Sequence, residues 1–250
     1  PPTACITYGG HCFPDHNGVG FGTIGYADAL RFSSNTFFYQ VGVGVGSLAL
    51  KQAADQLGFQ QKTGIEIGWE ESLGLVGDER WAAKGRGWAA PGSVPWIPED
   101  MASASIGQSV VQITPLQLAR AYAVFANGGW LVTPHLAKGS TNWMDGEHRR
   151  KVEMKPTTLK TIREGLRKVV SAGTGFNLNG PGIPPAAGKT GTAEDSTGGP
   201  DHAWFGTYAP YPEGEIVVVA FAQNTPGGGS VHALPMAKKV LAEWEKTRQR

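Results

Sequence analysis

The chain has 250 residues, 40% of them hydrophobic, enough to bury a substantial core in one large domain or two small ones. Its 22 basic and 21 acidic side chains nearly cancel, which removes the electrostatic case for a nucleic-acid partner or a polybasic membrane patch. The 36 glycines and 17 prolines exclude a simple helical bundle and predict a mixed fold with long loops.

No apolar run approaches the roughly 20 residues of a membrane-spanning helix, and no signal peptide opens the chain, so export would rest on sequence outside it. Near the N-terminus Cys5 and Cys12 read equally as a loop-closing disulfide or as two free thiols, because spacing alone does not fix geometry. His11 and His16 lie close by, but a zinc site wants more ligands than this.

Residues 18–25 are glycine-studded and read as a loop, after which Tyr26–Phe32 and Thr36–Val41 predict two short helices hinged at Ser33-Ser34-Asn35. Leu48, Ala49, Ala53, Ala54 and Leu57 predict a further helix over 46–57, capped by Gly58. Residues 68–100 carry Trp69, Trp81, Trp88 and Trp96 without sustained periodicity and read as a long tryptophan-rich loop inserted in the domain. Thr114-Pro115 supplies an N-cap and a first-turn proline for a helix that Asn127-Gly128-Gly129 closes. Residues 157–172 are amphipathic, with Ile162, Leu166, Val169 and Val170 facing a core and Lys160, Arg163, Glu164, Arg167 and Lys168 facing solvent.

Residues 188–194, 203–208 and 215–223 predict three strands, the last so continuous in Val and Ala that it reads as central, with a turn at 210–214. From Val231 a terminal helix follows, with Leu234, Ala237, Val240, Leu241 and Trp244 on its sheet-facing side. No internal repeat appears.

The chemistry concentrates in Lys189-Thr190-Gly191-Thr192. A phosphate-binding loop also uses Gly-Lys-Thr, but it needs four residues after its first glycine; here five separate Gly182 from Gly188, and Pro184-Pro185 removes backbone donors. The alternative pairs Lys-Thr-Gly with an earlier Ser-x-Asn, here Ser33-Ser34-Asn35, in serine acyl-transfer enzymes. Each motif alone also has an ordinary reading: Ser33 as a helix cap, Asn35 as a turn residue and Lys189 as a strand-edge charge. His202 and Glu194 read as structural.

The surroundings are specific. Ala29-Leu-Arg-Phe-Ser-Ser-Asn-Thr-Phe-Phe-Tyr-Gln40, Thr63-Gly-Ile-Glu66, Ala104-Ser-Ile-Gly-Gln108 with Thr114-Pro-Leu-Gln-Leu-Ala-Arg-Ala-Tyr122, Asn127-Gly-Gly129, residues 188–194 and His202-Ala-Trp-Phe-Gly-Thr-Tyr-Ala-Pro210 occur in order. Together they resemble the transpeptidase domain of class B penicillin-binding proteins, most closely the elongation-type penicillin-binding protein 2, over nearly the whole chain.

The resemblance implies an α+β fold of the serine β-lactamase and penicillin-binding protein type: an antiparallel sheet with a C-terminal helix beside a helical subdomain. It implies that Lys189 binds the substrate carboxylate with the Thr190 and Thr192 hydroxyls, and that Gly191 admits the acyl chain close to the strand. The Thr192 N–H would form half of an oxyanion hole. Asn35 would hold the substrate amide, and Ser33 would relay a proton between the catalytic lysine and the leaving group. None of these roles needs a metal or a cofactor.

The implied partners are peptidoglycan stem peptides, β-lactam antibiotics and cell-elongation proteins, with no nucleic acid. The implied location is the periplasmic face of the bacterial inner membrane, with the parent anchored by an upstream segment.

One departure matters. No serine here is followed three positions later by lysine, and Thr157-Thr-Leu-Lys160, the one hydroxyl with that spacing, starts an amphipathic helix. The Ser-x-x-Lys nucleophile is therefore expected upstream, residues 1–250 being a partial transpeptidase domain without transpeptidase activity of its own. The alternatives are a non-catalytic β-lactam sensor or degenerate binding module of the same fold, or a β-lactamase or D,D-carboxypeptidase that passes the acyl group to water.

Overall fold

A computed structural model describes residues 5–77, 96–137, 148–195 and 197–249. An N-terminal hairpin, β1 (Cys5–Tyr8) and β2 (His11–Pro14), pairs antiparallel and carries a Cys5–Cys12 disulfide with Cα atoms 5.7 Å apart. The spacing therefore corresponds to a bond within one hairpin, where Thr7 sits opposite Cys12. Among the described residues no group of His, Cys, Asp or Glu side chains has the arrangement of a metal site.

Helices α1 (Tyr26–Phe32) and α2 (Asn35–Gln56) follow. The helices predicted over 36–41 and 46–57 are both present as the two halves of α2, which meet at a break at Gly46, where φ is 78° and ψ 170°; the first half runs on from 41 to the break. The Val-Gly repeat before the break stays helical because Gly42 lets α2 close onto a neighbouring helix, α3 (Pro98–Ser105). A Cβ at Gly42 would meet the Met101 carbonyl at 2.9 Å, so the glycine's cost in helix entropy is offset by this approach.

The tryptophan-rich stretch was expected to be loop through residue 100, but α3 begins at Pro98, a first-turn proline followed by Glu99 and Asp100. Trp69 is exposed and the Trp96 indole nitrogen is buried, whereas Trp81 and Trp88 lie outside the described residues. A short ladder joins β3 (Leu75–Val76) to β4 (Val111–Gln112). Next, α4 (Pro115–Ala126) starts in a capping box between Thr114 and Gln117, and the buried Gln117 amide also donates to Gln61 O and Leu73 O.

Strands β5 (Trp130–Val132) and β6 (Arg149–Lys151) pair antiparallel ahead of α5 (Pro156–Ala172). The charges expected on the solvent side of α5 divide. Lys160 is exposed and pairs with Glu164, so the Thr157–Lys160 spacing sits on the surface. By contrast, Arg163 donates to Phe125 O and Ala126 O, Arg167 to Ala186 O, and Lys168 pairs with Asp28 at 2.8 Å. Three of the five basic and acidic positions thus hold neighbouring elements together, because long side chains lay their stems along apolar surface and carry donors to carbonyls at element ends.

The main sheet is β7 (Ala187–Ala193), β8 (His202–Ala209) and β9 (Ile216–Ala222), all antiparallel. Among the described residues β8 lies between β7 and β9, and β9, expected to be central, pairs with β8 alone. Its apolar continuity reflects cover on two faces: α4 packs on one face and the terminal helix α7 (Ala233–Arg248), preceded by the short α6 (Gly228–Val231), on the other. Phe205, Ala203, Val218 and Ala220 meet Leu234, Ala237 and Leu241 in one core, and Tyr208 and Ala187 meet Tyr122 and Leu166 in a second. Val240, expected on the buried side of α7, is about half exposed; it lies outside the stripe of Leu234, Ala237 and Leu241.

Candidate acyl-transfer site

Alternation along β7 decides which way its polar side chains point. Lys189 lies opposite Gly206 and faces the helical subdomain, while Thr190 and Thr192 lie opposite Phe205 and Ala203 and face the α7 side. The Lys189 ammonium donates to Ser33 Oγ at 2.7 Å and to Thr190 O at 2.8 Å. The two predicted motifs therefore meet.

Helix α5 brings them together. A Cβ at Gly165 would collide with Leu30 and Ala27, so α1 lies directly on α5, and Arg31 Nε donates to Ala172 O at 3.0 Å. α5 in turn packs on β7, so the C-terminus of α1 ends beside the Lys189 side chain. There Ser33 takes a left-handed conformation, φ 58° and ψ 44°, as the C-cap of α1. A left-handed serine costs on the order of 1 kcal/mol, and it lets the chain reverse into α2 within two residues. The cap reading of this motif is met at both ends: Ser33 closes α1 through its backbone N–H, and Ser34 opens α2 by accepting from Phe37 N.

Sequence reasoning missed Asp15. It is 2% exposed, and its carboxylate accepts from Thr36 N at 2.9 Å, Thr36 Oγ1 at 2.5 Å and Ser34 Oγ at 3.1 Å. A carboxylate at a helix N-terminus satisfies orphan donors and complements the macrodipole. Asp15 thereby ties the disulfide-closed hairpin to the turn that carries Ser33 and Asn35. Its only sequence signal was a lone acidic residue before a glycine-rich loop.

Asn35 is the first residue of α2, and its side chain lies near the Tyr39 hydroxyl one turn on. Burial is the main cause of the raised Tyr39 pKa, with the charges of Asp15 and Glu194 adding to it. Thr190 shares a 2.7 Å hydrogen bond with Thr174, in the turn after α5. A Cβ at Gly229 would collide with Gly191 N and O and Trp204 O, so the glycine at 229 lets α6 close onto the strand backbone. His202 accepts from Asn224 N and stacks edge-on against Phe221, a structural place.

Desolvation lowers the Lys189 pKa from 10.5 to about 8. A group with that pKa is largely cationic at neutral pH yet can release a proton at modest cost. Paired with a hydroxyl at hydrogen-bond distance, it offers both an anion site and a route for a proton.

With this geometry in place, comparison with known proteins identifies the fold's kin. The penicillin binding protein transpeptidase domain matches residues 5–242. The chain belongs to the penicillin-binding protein transpeptidase domain family. Peptidoglycan D,D-transpeptidase MrdA of Haemophilus influenzae is 33% identical over 255 residues, covering 92% of this chain and 37% of that protein. MrdA of Acinetobacter baumannii is 31% identical, covering 96% of this chain and 37% of that protein. Penicillin-binding protein 2 of Helicobacter pylori, solved in complex with MreC, aligns with a TM-score of 0.82 at 25% identity, covering 99% of this chain and 44% of that one. This transpeptidase domain sequence therefore spans 37% of the length of those two MrdA relatives.

Proposed function

We propose that the protein carrying this chain is a peptidoglycan D,D-transpeptidase of the penicillin-binding protein 2 type, acting through a serine acyl-enzyme. The observation that carries this reading is the 2.7 Å contact between Lys189 Nζ and Ser33 Oγ, which joins two motifs 156 positions apart. Lys189 binds the terminal carboxylate of a stem peptide, assisted by the Thr190 and Thr192 hydroxyls, and Asn35 turns from Tyr39 to the substrate amide. Gly191 lets the acyl chain lie close to β7, and the Thr192 N–H stabilises the oxyanion.

The nucleophile comes from a Ser-x-x-Lys segment upstream. Its serine hydroxyl attacks the penultimate D-Ala carbonyl and gives its proton to the neighbouring lysine. Ser33 passes a proton to the departing D-Ala nitrogen, and an amine on a second strand then displaces the serine as the cross-link forms. β-Lactams arrest the cycle at the acyl-enzyme. The location is the periplasmic face of the inner membrane, and the partners are elongation proteins; the Helicobacter pylori relative is solved in complex with MreC.

Labelling with a fluorescent penicillin tests the reading. The chain extended through its Ser-x-x-Lys segment is expected to be labelled and residues 1–250 alone are not. Labelling of residues 1–250 would refute the placement of the nucleophile, and failure of both with no such segment in the gene would leave a β-lactam sensor or degenerate binding module. Release of free acid in place of cross-linked product would mark a carboxypeptidase or β-lactamase.

A further inference from the structure

The end of β7 is held by a side chain that lies 84 positions away in sequence. Gln108 Nε2 donates to Thr192 O at 3.1 Å, and Gln108 Oε1 accepts from Glu194 N at 3.2 Å. The partners fix the orientation of the amide, since a carbonyl takes only the N–H end and a backbone N–H only the oxygen.

Gln108 is itself anchored. It follows α3 across Gly107, whose φ is 78°, and its own N–H donates to Ser103 O at 3.0 Å. Two residues on, Val110 is fully buried and its carbonyl accepts from Gly77 N at 2.9 Å. The backbone on both sides of Gln108 is thus fixed, and the side chain is a short strut from α3 to the strand.

The direction of these bonds has a consequence for the edge. In a strand the N–H and C=O of one residue point the same way, and alternate residues point to alternate edges. Thr192 O turns outward to Gln108, so the N–H groups of Thr192 and Thr190 also turn outward, away from β8. Thr190 O is taken by Lys189 Nζ, and Thr192 O and Glu194 N by Gln108. The outward Thr192 N–H therefore lies between the two struts, with Lys189 on one side and Gln108 on the other.

We propose that Gln108 is a positioning residue for acyl transfer: by holding Thr192 O and Glu194 N it aims the Thr192 N–H into the groove and ends the available strand edge at Thr192. The proposal rests on the transpeptidase reading and extends it to a residue that touches neither the substrate nor the reacting atoms. A strand end that loses this strut passes into the loop before Asp201 one residue earlier, and a donor displaced by a fraction of an ångström stabilises an oxyanion poorly.

The test has two arms. In residues 1–250, amide exchange at Glu194 is expected to rise at least about fivefold in Gln108→Ala, the loss of one modest hydrogen bond. In Gln108→Glu it stays near the wild-type rate, because the acceptor remains while the donor to Thr192 O is lost. In the chain extended through its Ser-x-x-Lys segment, acylation by a β-lactam is resolved into a binding constant and an acylation rate constant. Both variants are expected to acylate about tenfold more slowly, with binding changed less than twofold and the melting temperature within about 2 °C of wild type.

Wild-type acylation in Gln108→Ala, or an equal loss of binding and rate with a lowered melting temperature, overturns the proposal. So does unchanged Glu194 exchange in Gln108→Ala. If the wild-type extended chain is not acylated at all, the transpeptidase reading falls, and the exchange arm still decides whether Gln108 holds the strand end.

Discussion

Lys189 Nζ and Ser33 Oγ stand 2.7 Å apart, a strand residue and a left-handed turn residue joined through the packing of α1 and β7 on α5. Lys189 keeps a pKa of about 8 because it is desolvated, against 10.5 for an unburied lysine. Between about 8 and 10.5 the unfolded chain binds the proton more tightly, so this group makes stability rise with pH across that window. Below it, keeping the ammonium charged costs up to about 3 kcal/mol.

Lys189→Met is therefore expected to abolish β-lactam acylation in the extended chain. It should also raise unfolding stability at about pH 7 by roughly 1–3 kcal/mol, a gain that shrinks toward about pH 10. Denaturant melts at the two pH values measure it. Lower stability at neutral pH would show that the bonds to Ser33 and Thr190 outweigh desolvation. Binding of a ligand carboxylate should weaken as pH rises through about 8, since the cation is lost there.

Asp15 carries the opposite balance. Its carboxylate is buried, and removing it leaves Thr36 N, Thr36 Oγ1 and Ser34 Oγ without their acceptor. Buried groups left unpaired cost about 1–3 kcal/mol each, partly relieved by relaxation. Asp15→Ala is expected to lose about 2–4 kcal/mol in urea unfolding, and a double-mutant cycle with Thr36→Val to show coupling above about 1 kcal/mol. Additive effects would mean that Asp15 does not hold the turn.

The two chemical motifs were legible because they occur together among other segments in a fixed order, and helix α4 because its cap and periodicity agreed; α1 and α5 were read from side-chain pattern, since neither has a capping side chain. Three features were not. The helical run of 42–45 up to the break at Gly46 was hidden, since the contact of Gly42 with α3 is tertiary. The place of β8 between β7 and β9 among the described residues was hidden because continuous Val marks covered faces and says nothing of which edges are paired. Asp15 and Gln108 act across 21 and 84 positions, through single side chains that leave no periodic trace.

Glu66 gives a pH-dependent contact with the segment after β5. Its carboxylate accepts from Leu136 N and Ala137 N, and hydrogen bonding to its own backbone, then to those two amides, holds its pKa below the usual value. A lowered carboxylate pKa gives support that is present above the ordinary carboxylate range and is lost as pH falls through the lowered value. Amide exchange at Leu136 and Ala137, corrected for intrinsic rates, should lose protection on acidification, and Glu66→Gln should remove that pH dependence. Protection that is independent of pH in the wild type would assign the loop's order to other contacts.

The outer edge of β9 pairs with no strand among the described residues, although Ile216–Ala222 is apolar and covered by helices on both faces. An unpaired edge of this kind presents a row of N–H and C=O groups to any strand that can reach it. Residues 1–250 alone are therefore expected to associate, their sedimentation-average mass rising between about 1 and 100 μM. The β9 amides that do not face β8 should exchange more slowly at the higher concentration, because strand pairing buries them. The chain extended upstream should remain monomeric over the same range, its added residues covering the edge. A monomeric 250-residue chain with fast-exchanging outer amides would mean that the flanking helices shield β9 sterically without any strand partner.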